Sequence, residues 1–143
     1  MNYGPANFYE DNKRHVRLSR PVTRRRIPKP VIQANHAPAI ATLKDLVNTS
    51  GISLHAIIRA MCIVNDVAGH EFFGPTRGAR KTADARQVYY YLARELLQAS
   101  YPEIGKRIGR DHTSVLHGYR KIGANLAKYA DMISAAKKLL GVE

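Results

Sequence analysis

From Pro38 onward, apolar residues recur at three- and four-residue intervals, the period of one helix face. Ile40, Leu43 and Val47 fall on one side of a short segment, 39–47, and Gly51 follows as a stop. Ser53 is a good N-cap for a helix over 54–65, in which Ile57, Met61 and Val64 repeat. GHEFFG then predicts a tight turn or one helical turn, and GPTRGARK, 74–81, a Gly- and Arg-rich loop. Thr82 or Asp84 is expected to cap the next helix, which runs to about Gln98. Ala85, Val88, Leu92, Leu96 and Ala99 line its inner side. Tyr89, Tyr90 and Tyr91 cannot all face inward on a helix, so at least one is expected at the surface. No convincing strand is found. The pattern reads as all-α, a small helical bundle.

The run SYPEIGKRIGRDHTSVLHGYRKI, Ser100 to Ile122, breaks into two helices. Proline suits a first helical turn, so Pro102 opens a segment reaching Ile108. Ile104 and Ile108 pack inward there, while Lys106 and Arg107 stay outside. Gly109 permits the left-handed backbone of a sharp reversal, and Asp111 is an N-cap for the second helix. Val115, Tyr119, Ile122 and Leu126 repeat at four, three and four residues as its core face. Thr113, His117, Arg120 and Ala124 lie opposite. Two helices around a glycine turn, the second polar-tipped and basic, make a helix-turn-helix. That motif places the first turn of its second helix in the DNA major groove. The residue types suit the task. Asp accepts from cytosine N4, Thr offers a methyl and a hydroxyl, and His donates to a purine N7 or a phosphate. Gly118 and Gly123 inside a helix each cost about 1 kcal/mol against Ala, which close packing, close DNA approach or tolerance would explain.

Charge sharpens the picture. The 143 residues carry 23 Lys and Arg against 11 Asp and Glu, a net +12. The balance points to a polyanionic partner, most simply nucleic acid, although a high pI is also common in membrane-surface proteins. Half of the excess sits in residues 1–37, where eight cations face Glu10 and Asp11. Prolines 5, 21, 28 and 30 break any long helix there, and SRPVTRRRIPKP has no periodicity. This stretch reads as a basic, extended or disordered arm, residues 38–143 as the folded domain. The arm is expected to touch phosphates or the minor groove, the alternative being a plain solubilising tail.

Other chemistry is poorly served. The single cysteine, Cys62, lies in the apolar run AMCIV and reads as an inert buried thiol. His112 and His117 are five residues apart, a poor spacing for two ligands on one helix, so no metal is expected. His70-Glu71 is not part of an H-E-x-x-H motif, and nothing places Ser, His and Asp as a triad, so no enzyme is expected. No apolar run is long enough for a membrane span and no signal peptide is visible, which predicts a soluble, cytoplasmic protein.

The same run closely resembles the signature of the C-terminal DNA-binding domain of the bacterial replication initiator DnaA. The likeness extends through ARQVYYYLAREL, Ala85 to Leu96, and more weakly through SLHAIIRAMCIVNDVAGHEFFG, Ser53 to Gly74. It covers about residues 52–123, leaving a helical extension at 124–143. The resemblance implies that Asp111, His112 and Thr113 read bases of a double-stranded site in the major groove. It implies that Ser114, Arg86, Gln87, Tyr101 and Pro102 meet the DNA backbone. Lys106 and Arg110 of the basic cluster are expected on the backbone as well. A loop arginine of the family enters the minor groove; Gly78 falls at that place here, leaving Arg77 and Arg80 as the neighbouring candidates.

Three departures stand out. One glycine, not two, precedes Arg110. Asp84 stands where a basic residue is common, close to a phosphate path. No G-x-x-x-x-G-K-[ST] loop occurs, so no ATP binding is expected and no cofactor is called for. The resulting expectation is a stand-alone protein binding DnaA-box-like sites, as a replication regulator, initiator competitor or transcription factor. The alternative, motivated by Asp84 and the shortened turn, is an architectural or protein-interaction module without sequence preference.

Overall fold

Seven α-helices build the fold among the described residues, and no strand occurs among them. The structure is a computed structural model, and it describes residues 27, 29–30 and 32–142. The basic arm expected over 1–37 lies largely outside the described residues. A 3-10 turn, Ala34–His36, leads into α1, Ala37–Ser50, which carries Pro38 in its first turn. There follow α2, Leu54–Asn65; α3, Gly69–Phe72; α4, Arg80–Leu97; α5, Tyr101–Arg107; α6, His112–Ala124; and α7, Leu126–Leu140.

Local chemistry sets most of these boundaries. Gly51, at φ +73°, ends α1 and donates its amide to Val47 O at 2.8 Å. Ser53 Oγ accepts from the Ala56 amide at 3.2 Å and so caps α2. The expected start of α4 is displaced. It begins at Arg80 behind Ala79, which has no side chain able to cap, while Thr82 and Asp84 are buried inside the helix. Burial against the bundle outweighs their capping preference.

The long helix α4 is the centre. It packs against α2 on one side and α6 on the other, and α1 and α7 close over α2. Ala85, Val88 and Leu92 are fully buried as the stripe required, and Leu96 is half-buried at its end. Of the three consecutive tyrosines, Tyr89 and Tyr90 are buried and Tyr91 is half-exposed. The Tyr89 hydroxyl donates to Ile104 O at 3.2 Å, tying α4 to α5 and satisfying a buried polar group. Leu126 departs from expectation. The second helix of the motif stops at Ala124, the chain bends at Asn125, and Leu126 opens α7 at 44% exposure. Its place in the core is taken by Tyr129 and Met132 of α7.

Asp84 is also relocated. It is 7% exposed, and its carboxylate accepts from the Tyr129 hydroxyl at 3.4 Å. A carboxylate held there is largely withdrawn from the surface.

Candidate nucleic-acid interface

The turn between α5 and α6 is made by two glycines with different duties. Gly109, at φ +67°, takes the left-handed conformation. Gly105 does something the pattern did not reveal. Its carbonyl accepts from the Ile108 and Arg110 amides at 3.1 and 2.8 Å. A Cβ on Gly105 would collide with the Arg110 carbonyl and crowd Val115 Cγ2 at 3.1 Å. The chain therefore folds directly back over Gly105, and the single glycine before Arg110 suffices to close the turn. An isolated glycine inside a helical pattern was the available signal for such a close approach. Ser100 Oγ caps α5 by accepting from the Glu103 amide at 3.3 Å.

Asp111, His112, Thr113 and Ser114 are all exposed at the start of α6. Asp111 occupies the N-cap position, yet its carboxylate makes no cap bond. Instead it accepts from Thr113 Oγ1 at 2.8 Å and lies 2.8 Å from His112 Nδ1, an ion pair when the ring is protonated. The Thr113 hydroxyl is the main cause holding the Asp111 carboxyl below its ordinary range, and His112 adds to it. The three side chains expected to read bases thus form one cluster, with Asp111 accepting from Thr113 and close to the His112 ring. Behind them Val115, Gly118 and Ile122 are buried, and Tyr119 is half-buried with its hydroxyl on Glu95 at 2.7 Å. Gly118 is needed for contact: an added Cβ would lie 2.6 Å from Tyr90 Cδ2. Gly123 has open space around it, so close packing does not account for it.

The expected backbone contacts separate into two groups. Lys106, Pro102 and Ser114 are exposed, and Tyr101 is half-buried beneath Arg94, whose guanidinium carbon stands 4.9 Å from the ring centroid. Gln87 accepts from Lys121 Nζ at 3.0 Å through its Oε1, which leaves its amide nitrogen free to act as a donor beside an ammonium. Lys121 was not singled out by sequence. Arg86 does not stand with this group. It is 4% exposed, and its guanidinium is consumed by the carbonyls of residues 71–77. Burial, followed by the charge of Arg110, lowers its pKa. The phosphate contact that the family resemblance implied for Arg86 is not available to a guanidinium so placed, because the carbonyls of the preceding loop take up its donors. Arg110 is half-buried and likewise engages Gly74, Pro75 and Thr76 carbonyls. Arg77 and Arg80 are exposed on and beside the loop so held.

A short helix, a glycine turn and a second helix, exposed and polar at its tip and buried along its other side, define a DNA-binding helix-turn-helix domain. Residues 54–122, α2 through α6, match the family model of the bacterial dnaA protein helix-turn-helix. That segment belongs to the family, with α1 and α7 outside the matched range. Among the described residues no helix is long and apolar enough to cross a membrane, and no three His, Cys, Asp or Glu residues are grouped to hold a metal ion.

Proposed function

We propose that this chain binds double-stranded DNA at DnaA-box-like sites, reading base edges with Asp111, His112 and Thr113. It acts by occupying those sites, as a replication regulator, a competitor of the initiator or a transcription factor, on the bacterial nucleoid, a role that would suit a phage, prophage or mobile element. The observation that carries this reading is the tip of α6. Three side chains with base-edge hydrogen-bonding capacity are exposed together, on a helix whose other side is seated in the core through Val115, Gly118 and Ile122. Lys106, Ser114, Gln87, Tyr101 and Pro102 flank the tip as backbone contacts, and Lys121 joins Gln87. Sequence preference is favoured over architectural binding because both motives for the latter weaken: Asp84 faces Tyr129, and the shorter turn closes over Gly105.

Binding-site selection on random duplexes, followed by gel shift against a scrambled duplex in competitor DNA, tests the reading. The expected result is a recovered site related to the DnaA box, with each altered contacted base pair costing about 1–3 kcal/mol. Equal affinity for box and scrambled duplexes would hand the function to the non-specific alternative.

A further inference from the structure

The loop between α3 and α4 is held from two directions by guanidinium groups. Arg86, on α4, donates from Nε to Phe72 O at 2.8 Å, from one terminal nitrogen to Thr76 and Arg77 O at 3.0 and 2.9 Å, and from the other to Glu71 and Gly74 O at 2.6 and 3.2 Å. Arg110 reaches the same loop from the turn of the helix-turn-helix. It donates to Pro75 O at 3.2 Å, Gly74 O at 2.7 Å and Thr76 O at 2.8 Å. The carbonyls of Gly74 and Thr76 accept from both arginines. Neither guanidinium belongs to an ion pair: the pairs among the described residues are His36–Asp66 and His112–Asp111. Among the described residues, backbone carbonyls and not carboxylates accept from these two guanidinium groups. Arg110 stands three residues before Thr113, and Arg77 lies on the clamped loop.

We propose that Arg110, backed by Arg86, is a positioning residue that locks the basic loop in register with the recognition helix, so that Arg77 and the His112–Thr113 tip engage DNA as one rigid unit. The proposal rests on the DNA-binding reading above but not on which sequence is read. The fork geometry is the working feature. A lysine at 110 keeps the charge but cannot hold three carbonyls in one plane. A simple phosphate contact by Arg110 would survive that change, and a clamp would not.

The test combines two measurements on the full chain, as Arg110→Lys and with Arg77→Ala added singly and together. Without DNA, backbone order parameters for residues 75–79 are expected to match those of the helices in the native chain. They should drop below about 0.6 in Arg110→Lys, while α4 and α6 stay rigid. With DNA, using the duplex recovered by site selection and a random duplex as a second arm, Arg77→Ala should weaken the native chain by roughly fivefold or more and the Arg110→Lys chain by less than about twofold. Loss of that coupling on both duplexes supports the clamp even if no preferred sequence exists. An unchanged loop in Arg110→Lys overturns the proposal. So does an Arg77→Ala effect that is the same in both backgrounds, or native affinity in a chain whose loop has loosened.

Discussion

The Tyr129 hydroxyl meets the Asp84 carboxylate at 3.4 Å, joining the last helix to the first turns of the longest one. Tyr129 lies on α7, outside the family-matched segment, and Asp84 lies within that segment, on α4. Each explains the other: a carboxylate on α4 is tolerable because α7 supplies a buried donor for it. Apolar burial of α7, at about 1.5–3 kcal/mol per large side chain, holds the helix down, and the hydrogen bond fixes its register.

Tyr129→Phe is therefore expected to cost about 1 kcal/mol in urea unfolding at neutral pH and to leave DNA affinity unchanged. Burial, and then Asp84, raise the Tyr129 pKa above its ordinary value of 10.0. A raised folded-state pKa means the stabilisation is complete below about pH 10 and fades as pH climbs through the folded value. The gap between the native chain and Tyr129→Phe should narrow in that alkaline window. Equal stabilities at neutral pH would show that the bond adds nothing.

Two glycines of α6 should respond oppositely to alanine. Gly118→Ala drives a methyl into the Tyr90 ring and should destabilise the domain by about 1–3 kcal/mol, separating α4 from α6. Gly123→Ala meets nothing within 4 Å and should stabilise by up to about 1 kcal/mol through helix propensity. Denaturant midpoints that move the same way for both would contradict the packing described.

The tip of α6 links titration to recognition. Because the Thr113 hydroxyl is the largest cause lowering the Asp111 pKa, Thr113→Ala should bring that carboxyl back toward its ordinary range, followed by carbon-13 shifts on acid titration. The same variant and His112→Ala should each lose about 1–3 kcal/mol on the selected duplex and little on random DNA. Lys106→Ala should weaken both duplexes alike, since phosphate contacts carry no sequence information directly. A specific-to-random ratio untouched by Thr113→Ala and His112→Ala, with circular dichroism unchanged, means that this helix does not read bases.

Salt dependence reports the phosphate contacts. If the arm, loop and helix-turn-helix together meet about 5–8 phosphates, log K against log salt should fall with a slope of roughly −4 to −7. Removing residues 1–30 should flatten that slope and weaken all duplexes by similar factors. An identical slope in the truncated chain excludes the arm from the complex.

Local signals determined much of this protein. Ser53 and Ser100 mark helix starts by side-chain oxygens that satisfy orphan amides, and the three-four spacing of Ile57, Met61 and Val64 or of Val88 and Leu92 marks buried faces. These interactions span a few residues, so they can be read along the chain. The exposed Asp111–His112–Thr113 tip was legible for the same reason. What only the tertiary structure decided involves partners distant in sequence. Asp84 and Tyr129 are 45 residues apart, and Arg110 and Thr76 are 34 apart. Nothing near Arg86 in the sequence distinguishes an arginine bound for phosphate from one bound for backbone carbonyls. That choice follows from where the loop's carbonyls come to lie once α3, α4 and the turn are packed together. A buried guanidinium then has to satisfy them, because leaving either side unbonded costs more than giving up a surface contact.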